Sequence, residues 1–241
     1  MNETIEKIEL ISDSIKLSGY LHLPSKSIKS FVIGSHGMLS DAESGKQIAL
    51  ASKLGKSNIG YLRFNHRGCK DSQGNIRETN LDTRKTDLLA AFSFLKKNFV
   101  FEKTGLFGSS MGGATILHAY ADIKPDAIAV LATPVKGENL KRSFTNSIER
   151  LMEETGLPES FFIANTNFNL TPKLQNIKNI LVLHGNKDEI VPFENGKTIY
   201  KKSGNKKKFI ELDMANHRVE DEKNQKFFIS ETIKWFKKYL A

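Results

Sequence analysis

The sequence predicts a doubly wound α/β fold built on a mostly parallel sheet, and three observations carry that expectation. Short β-rich runs alternate with stretches of helical period along the whole of the 241 residues. Several runs, Phe31-Val-Ile33 and Ile180-Leu-Val-Leu183 among them, are continuously apolar, as strands covered on both faces are. At 39% apolar and 26% charged residues, the composition is that of an ordinary soluble globule.

Eight strands are expected, at Ile5–Ile11, Ile15–Leu23, Phe31–Ser35, Ile59–Phe64, Thr104–Gly108, Ala127–Ala132, Ile180–His184 and Lys208–Leu212. The first two alternate more strictly and lie close together around Asp13-Ser14, which reads as an N-terminal antiparallel hairpin. Residues 44–57 place Ile48, Ala51, Leu54 and Gly55 on one helical face. Residues 81–98 group Leu81, Leu88, Ala91, Phe92 and Leu95, with Lys96 and Lys97 in the last turn, where cations suit the helix dipole. Residues 111–123 are small and apolar, and 221–240 carry Phe227, Phe228, Ile233, Trp235 and Phe236. The segment 136–178 breaks the rhythm, with a helical stretch around Ile148, Leu151 and Met152 and an irregular patch from Phe161 to Phe168. The chain therefore reads as a single domain, 1–241, with 136–178 inserted as a short helical lid. The alternative is a peripheral helix pair packed on the body.

Composition also excludes classes. The longest apolar runs, such as Ala127–Ala132, fall far short of the roughly 18 residues a spanning helix needs, so no stable membrane insertion is expected. The opening Met1-Asn-Glu-Thr-Ile-Glu-Lys7 is polar, unlike a secretory signal, and the single cysteine, Cys69, fits a reducing, cytoplasmic location. Net charge is +9, but only seven of the 36 basic residues are Arg. The densest cluster, from Lys201 to Lys208, reads as a solvated loop rather than a nucleic-acid footprint, since no recognition motif accompanies it.

Chemistry concentrates in Gly108-Ser109-Ser110-Met111-Gly112, a G-x-S-x-G sequence directly after one expected strand and directly before one expected helix. A sharp turn there projects the Ser110 hydroxyl at the carboxyl end of the sheet, and the Met111 N–H at the helix start is free to stabilise an oxyanion. A serine hydroxyl needs a base. Asp188 stands in the loop after the seventh strand, before Ile190-Val-Pro192, with Glu189, Asp213 and Asp221 as competitors. His217 follows the eighth strand. The order Ser110, Asp188, His217 is the one expected of this motif. The Met38 N–H, in the loop after Ser35-His36-Gly37, is the candidate second oxyanion donor, with His36 orienting that loop. The histidines show no metal-ligand spacing, and no metal or other cofactor is expected.

These residues resemble the α/β-hydrolase superfamily, specifically its small serine esterase and S33-peptidase-like members. The resemblance covers nearly the whole chain and rests on His36-Gly37, Arg67-Gly68…Ser72-Gln-Gly74, Gly108–Gly112, Gly185…Asp188…Val191-Pro192 and Asn216-His217. It implies the α/β-hydrolase fold, and a loop near the pocket shaped by the Arg-Gly…Ser-x-Gly stretch. This chain departs from the pattern at Asn65, where relatives usually carry Asp, and at Cys69, where a small residue is usual. In relatives similar to dienelactone hydrolase a cysteine is the nucleophile, but it stands at the elbow, which here carries Ser110.

The expected chemistry is acyl transfer through an acyl-enzyme, on a small or medium ester admitted by Phe144, Leu151, Met152, Phe161 and Phe162 of the lid. The partner is a small-molecule acyl substrate, met by a monomer or homodimer. A thioesterase or amide hydrolase with the same residues, and a non-catalytic binding protein on the same fold, are the alternatives.

Overall fold

A computed structural model describes residues 3–25, 27–138, 140–141 and 148–241. Eight strands form one sheet in the order β1-β2-β4-β3-β5-β6-β7-β8. They are β1 (Thr4–Ser12), β2 (Ile15–Leu23), β3 (Ser30–Ser35), β4 (Ile59–Phe64), β5 (Lys103–Ser109), β6 (Ala127–Leu131), β7 (Ile180–Gly185) and β8 (Lys207–Leu212). β1 and β2 pair antiparallel with Ser12 opposite Ile15, so Asp13 and Ser14 make a two-residue turn, both at positive φ as a type I′ turn requires. β2 also runs antiparallel to β4, and every pairing from β4 to β8 is parallel.

β3, β4, β6 and β7 are buried at every residue, which is why their sequences run apolar without alternation. One face is covered by α1 (Gly45–Gly55) and a helix at the C-terminal end of the chain, α7 (Glu222–Leu240), through Leu50, Leu54, Phe228, Trp235 and Phe236. The other is covered by α2 (Leu81–Asn98), α3 (Met111–Ile123) and α6 (Glu194–Lys202), through Leu88, Leu95, Leu117 and Ile199. On α1 the buried stripe is Gln47, Leu50, Ala51 and Leu54, whereas Ile48 is exposed. Gln47 goes inward because it accepts a hydrogen bond from the buried Tyr61 hydroxyl at 2.8 Å.

The segment between β6 and β7 contains α4 (Ile148–Thr155) and α5 (Glu159–Ala164), so the Phe161–Phe162 patch is helical rather than irregular. Its neck is closed by a bridge between Lys136 and Asn169 and by the hydrogen bonds Gly137 N to Phe168 O and Leu170 N to Val135 O. Leu157, Phe161 and Phe162 form a small core of their own, against which Met38, Ile76, Ile148 and Leu151 pack. Near the lysine cluster, Lys207 donates to the Lys201 and Ser203 carbonyls at the end of α6, and Lys208 pairs with Glu231. No described helix is long and apolar enough to cross a membrane.

Candidate active site

Ser110 is the residue between β5 and α3, at φ 54° and ψ −126°. A non-glycine residue pays roughly 1–3 kcal/mol to sit in such a conformation. The surroundings enforce it: the Ser110 N–H donates to Leu131 O on β6, while Ser110 O accepts from Gly113 and Ala114 of the helix. The elbow is pressed against the loop after β3, and only a glycine fits the contact. A Cβ on Gly112 would lie 2.0 Å from Ser35 O and 2.7 Å from His36 O.

Asp188 and His217 arrive on the loops after β7 and β8, which are laced together. Asn186 N donates to Leu212 O, Lys187 N to Ala215 O, and Met214 N to Asn186 Oδ1. The His217 N–H donates to Glu189, the residue beside Asp188. The loops approach so closely that a Cβ on Gly185 would sit 2.2 Å from Ala215 O.

The three side chains meet in one hydrogen-bonded line. Ser110 Oγ is 3.0 Å from His217 Nε2, and His217 Nδ1 is 2.9 and 3.0 Å from the two Asp188 oxygens. Because the carboxylate can only accept, the imidazole proton lies on Nδ1, which leaves Nε2 bare toward the serine. Asp188 has no exposed side-chain surface, and His217 keeps 12%. Burial alone would raise the Asp188 carboxyl, but hydrogen bonds from His184, His217 and the Val191 N–H outweigh it and hold the group well below the usual carboxylate range. Two backbone donors, Ile190 and Val191, converge on Asp188 Oδ1 at 3.0 and 2.8 Å. His184, fully buried at the end of β7, adds Nε2 at 3.2 Å from Oδ2 while also facing Val191 O at 2.9 Å. Sequence reading missed this second histidine on Asp188. The signal available was its spacing, four residues before the carboxylate at a strand end.

The loop after β3 passes beside the serine, since a Cβ on Gly37 would lie 3.6 Å from Ser110 Cβ. His36 Nε2 accepts the His66 N–H at 3.1 Å, so its proton is on Nδ1 and goes to Gly37 O at 2.7 Å. Burial, with the Arg84 charge, keeps His36 neutral by pushing its pKa well down. A trans peptide points N–H opposite C=O, so fixing Gly37 O fixes the Met38 N–H direction. Neither the Met38 nor the Met111 N–H is used in a hydrogen bond among the described residues.

The small core around Phe162 touches this loop through Met38 and reaches the loop after β4 through Ile76 and through Asn165 Nδ2 to Thr79 O. Phe161 and Phe162 are shut inside that core, Leu151 lies at its edge, and Met152 is exposed. Phe144 lies outside the described residues. Asn65 accepts the Ala42 N–H and donates to Ser18 Oγ, a donor role that the usual Asp could not fill. Cys69 is buried, with burial pushing its thiol up, and takes no part in the line through Ser110.

The prolyl oligopeptidase family matches residues 60–241, which take in β4 through α7 with Ser110, Asp188 and His217. No curated protein matches the sequence. Solved structures do match over nearly the full length. An esterase from Pyrococcus furiosus superposes with a TM-score of 0.84 at 19% identity, covering 99% of this chain and 92% of that one. Est1E from Butyrivibrio proteoclasticus, bound to ferulic acid, gives 0.79 at 19% identity, with 97% and 99% covered. Alpha/beta hydrolase domain-containing protein 10 from mouse gives 0.76 at 21% identity, with 97% and 99% covered. At these identities the likeness is one of fold.

Proposed function

Because this chain belongs to the prolyl oligopeptidase family, and so is a serine hydrolase with the α/β-hydrolase fold, we propose that Ser110, His217 and Asp188 are its catalytic triad and that it cleaves small or medium carboxylic esters. The observation that carries the reading is the unbroken line from Ser110 Oγ through His217 to Asp188, with every link at 3.0 Å or less. His217 takes the Ser110 proton through Nε2 as the hydroxyl attacks the acyl carbonyl, and Asp188 stabilises the imidazolium without itself being protonated. The Met111 and Met38 N–H groups receive the oxyanion, each worth roughly 3–4 kcal/mol of barrier. His217 then hands the proton to the leaving alcohol, and a water activated by the same nitrogen hydrolyses the acyl-enzyme. No cofactor enters these steps.

The ester preference draws on the fold shared with the Pyrococcus esterase and with Est1E in its ferulic acid complex. Residues 136–178 act as the lid, with Leu151 and Met152 offering the apolar surface that meets the acyl group and Phe161 and Phe162 stiffening it from within. The family match favours a second reading, cleavage of an amide or peptide by the same residues. Turnover of p-nitrophenyl esters of increasing chain length, set beside matched anilides and acyl-CoA thioesters, tests the choice. A maximum at short or medium esters is expected; a maximum at long chains, or anilides cleaved faster, overturns it.

A further inference from the structure

Among the described residues Arg84, on α2, is the bulkiest side chain wholly buried, and no carboxylate of theirs lies within ion-pair distance of it. The nearby Asp87 is already committed: Arg67 holds it at 2.7 and 3.1 Å, and the Ser12 hydroxyl, the Arg67 N–H and His66 Nδ1 also face its two oxygens. A buried cation with no carboxylate in direct contact is costly and does not persist for packing alone. Its hydrogen bonds say what it does. Arg84 Nη2 donates to His36 O. Arg84 Nε donates to Thr115 Oγ1 at 3.3 Å, and that hydroxyl donates to Met111 O at 2.9 Å. One guanidinium thus reaches both chain segments that carry the oxyanion donors.

We propose that Arg84 is a positioning residue for the oxyanion hole, clamping the His36–Met38 loop to the first turn of α3 and setting a fixed positive charge behind both N–H groups. This rests on the reading of Met38 and Met111 given above. The clamp works by peptide geometry. Arg84 fixes His36 O, and the His36 ring fixes Gly37 O, so two successive peptides are locked and the Met38 N–H cannot rotate out of the hole. On the other side, the Thr115 hydroxyl ties Met111 O, in the peptide that follows the Met111 N–H, to the same guanidinium and so anchors the first turn of α3. Burial draws the Arg84 pKa down only to about 10, so the charge is present throughout the neutral range. In a site of low dielectric, a preorganised charge acts most strongly where negative charge develops, which is the transition state rather than bound ester.

The test compares Arg84→Met, Arg84→Lys and Thr115→Val, each checked for folding by circular dichroism. The readouts are kcat and KM on p-nitrophenyl butyrate and inhibition by a trifluoromethyl ketone against its matching alcohol. The ketone adduct carries the oxyanion and the alcohol does not. Losing one oxyanion donor costs about 100- to 1000-fold, so a loosened clamp is expected to lower kcat about 10- to 100-fold in Arg84→Met, with KM within about twofold. Ketone affinity falls in parallel and alcohol affinity does not. Arg84→Lys restores part of the loss, and Thr115→Val, nearly isosteric, loses about three- to tenfold. If Arg84→Met fails to fold, the other two variants decide. Wild-type kcat and ketone affinity in folded Thr115→Val and Arg84→Lys, or a loss confined to KM, overturns the clamp. Fluorophosphonate labelling of wild-type protein separates the two readings. Labelling at Ser110 with unaffected variants sinks the clamp alone, and no labelling at Ser110 sinks the triad with it.

Discussion

Replacing Asp188 by Asn changes one atom and, by the geometry above, disables the base. Ile190 and Val191 both donate to Oδ1, so the asparagine carbonyl stays there and its NH2 takes the place of Oδ2. That NH2 then faces His217 Nδ1, where Oδ2 had been 2.9 Å away, so two donors meet, and the carbonyl left at Oδ1, 3.0 Å from Nδ1, is already taken by two backbone N–H groups. The imidazole escapes the clash by moving its proton to Nε2, which points at Ser110 and can no longer accept from it. An aspartate-to-asparagine change in the equivalent serine protease triad lowers kcat about 10,000-fold through the wrong tautomer. The same loss is expected here, equivalent to about 5.5 kcal/mol of barrier at 1.36 kcal/mol per decade. Folding suffers less. His184 keeps its bond to Val191 O but loses its contact with Oδ2, so the variant forfeits the charge-assisted bond to His217, about 1–3 kcal/mol, and the longer one to His184. Steady-state kinetics on p-nitrophenyl acetate, nitrogen NMR of the His217 ring and a thermal melt measure the three quantities. A kcat loss under tenfold, or a ring that keeps its proton on Nδ1, refutes the reasoning.

Four further outcomes are expected. Gly112→Ala drives a Cβ into Ser35 O and costs at least about 3 kcal/mol in a denaturant titration. Gly45→Ala, which meets nothing within 4 Å at the start of α1, is neutral or gains up to about 1 kcal/mol. Phe162→Ala empties the small core around α5 at a local cost of about 3–5 kcal/mol; if the segment is the proposed lid it also raises KM, and it exposes residues 148–164 to protease while the sheet's melting transition holds. Acid weakens the fold in two stages. Burial lowers His66 to about 3 and pushes His36 down as well, so the unfolded chain takes up protons first. Stability should fall below pH ~6.5 by up to roughly 1.4 kcal/mol per unit for each ring. The carboxyls of Asp87 and Asp188 are depressed instead, so their contribution holds above pH ~4 and is lost below it. Urea titrations from pH 7 to 3 read both stages, and a flat profile between pH 6.5 and 5 contradicts the first.

Much of the architecture was legible because β3, β4, β6 and β7 are apolar on both faces, and such runs announce themselves. Ser110, Asp188 and His217 were singled out for a related reason: they stand at or shortly after the ends of β5, β7 and β8, and the structure brings their side chains together. The helix α6 was not, since Glu194–Lys202 buries only Asn195, Gly196 and Ile199 and shows almost no apolar stripe. Arg84 and Asp87 were hidden differently. They lie on the stripe of α2 that also carries Leu81, Leu88, Ala91 and Leu95, and a charge in such a stripe reads as solvated face. Only tertiary structure brings Arg84 to His36 and Thr115, or Asp87 to Arg67 and Ser12, across sequence gaps of 20 to 75 residues. A charged residue in register with an apolar stripe was the signal that could have found them.

The claim on which all of this depends is that one hydroxyl is activated by one imidazole 107 residues further along the chain. Reaction with a fluorophosphonate probe, followed by mapping of the modified peptide, measures it directly. The account requires a single adduct on Ser110 that forms at least about 100-fold more slowly when His217 is replaced by Ala. An adduct on another residue, or labelling of Ser110 at an undiminished rate in that variant, contradicts it.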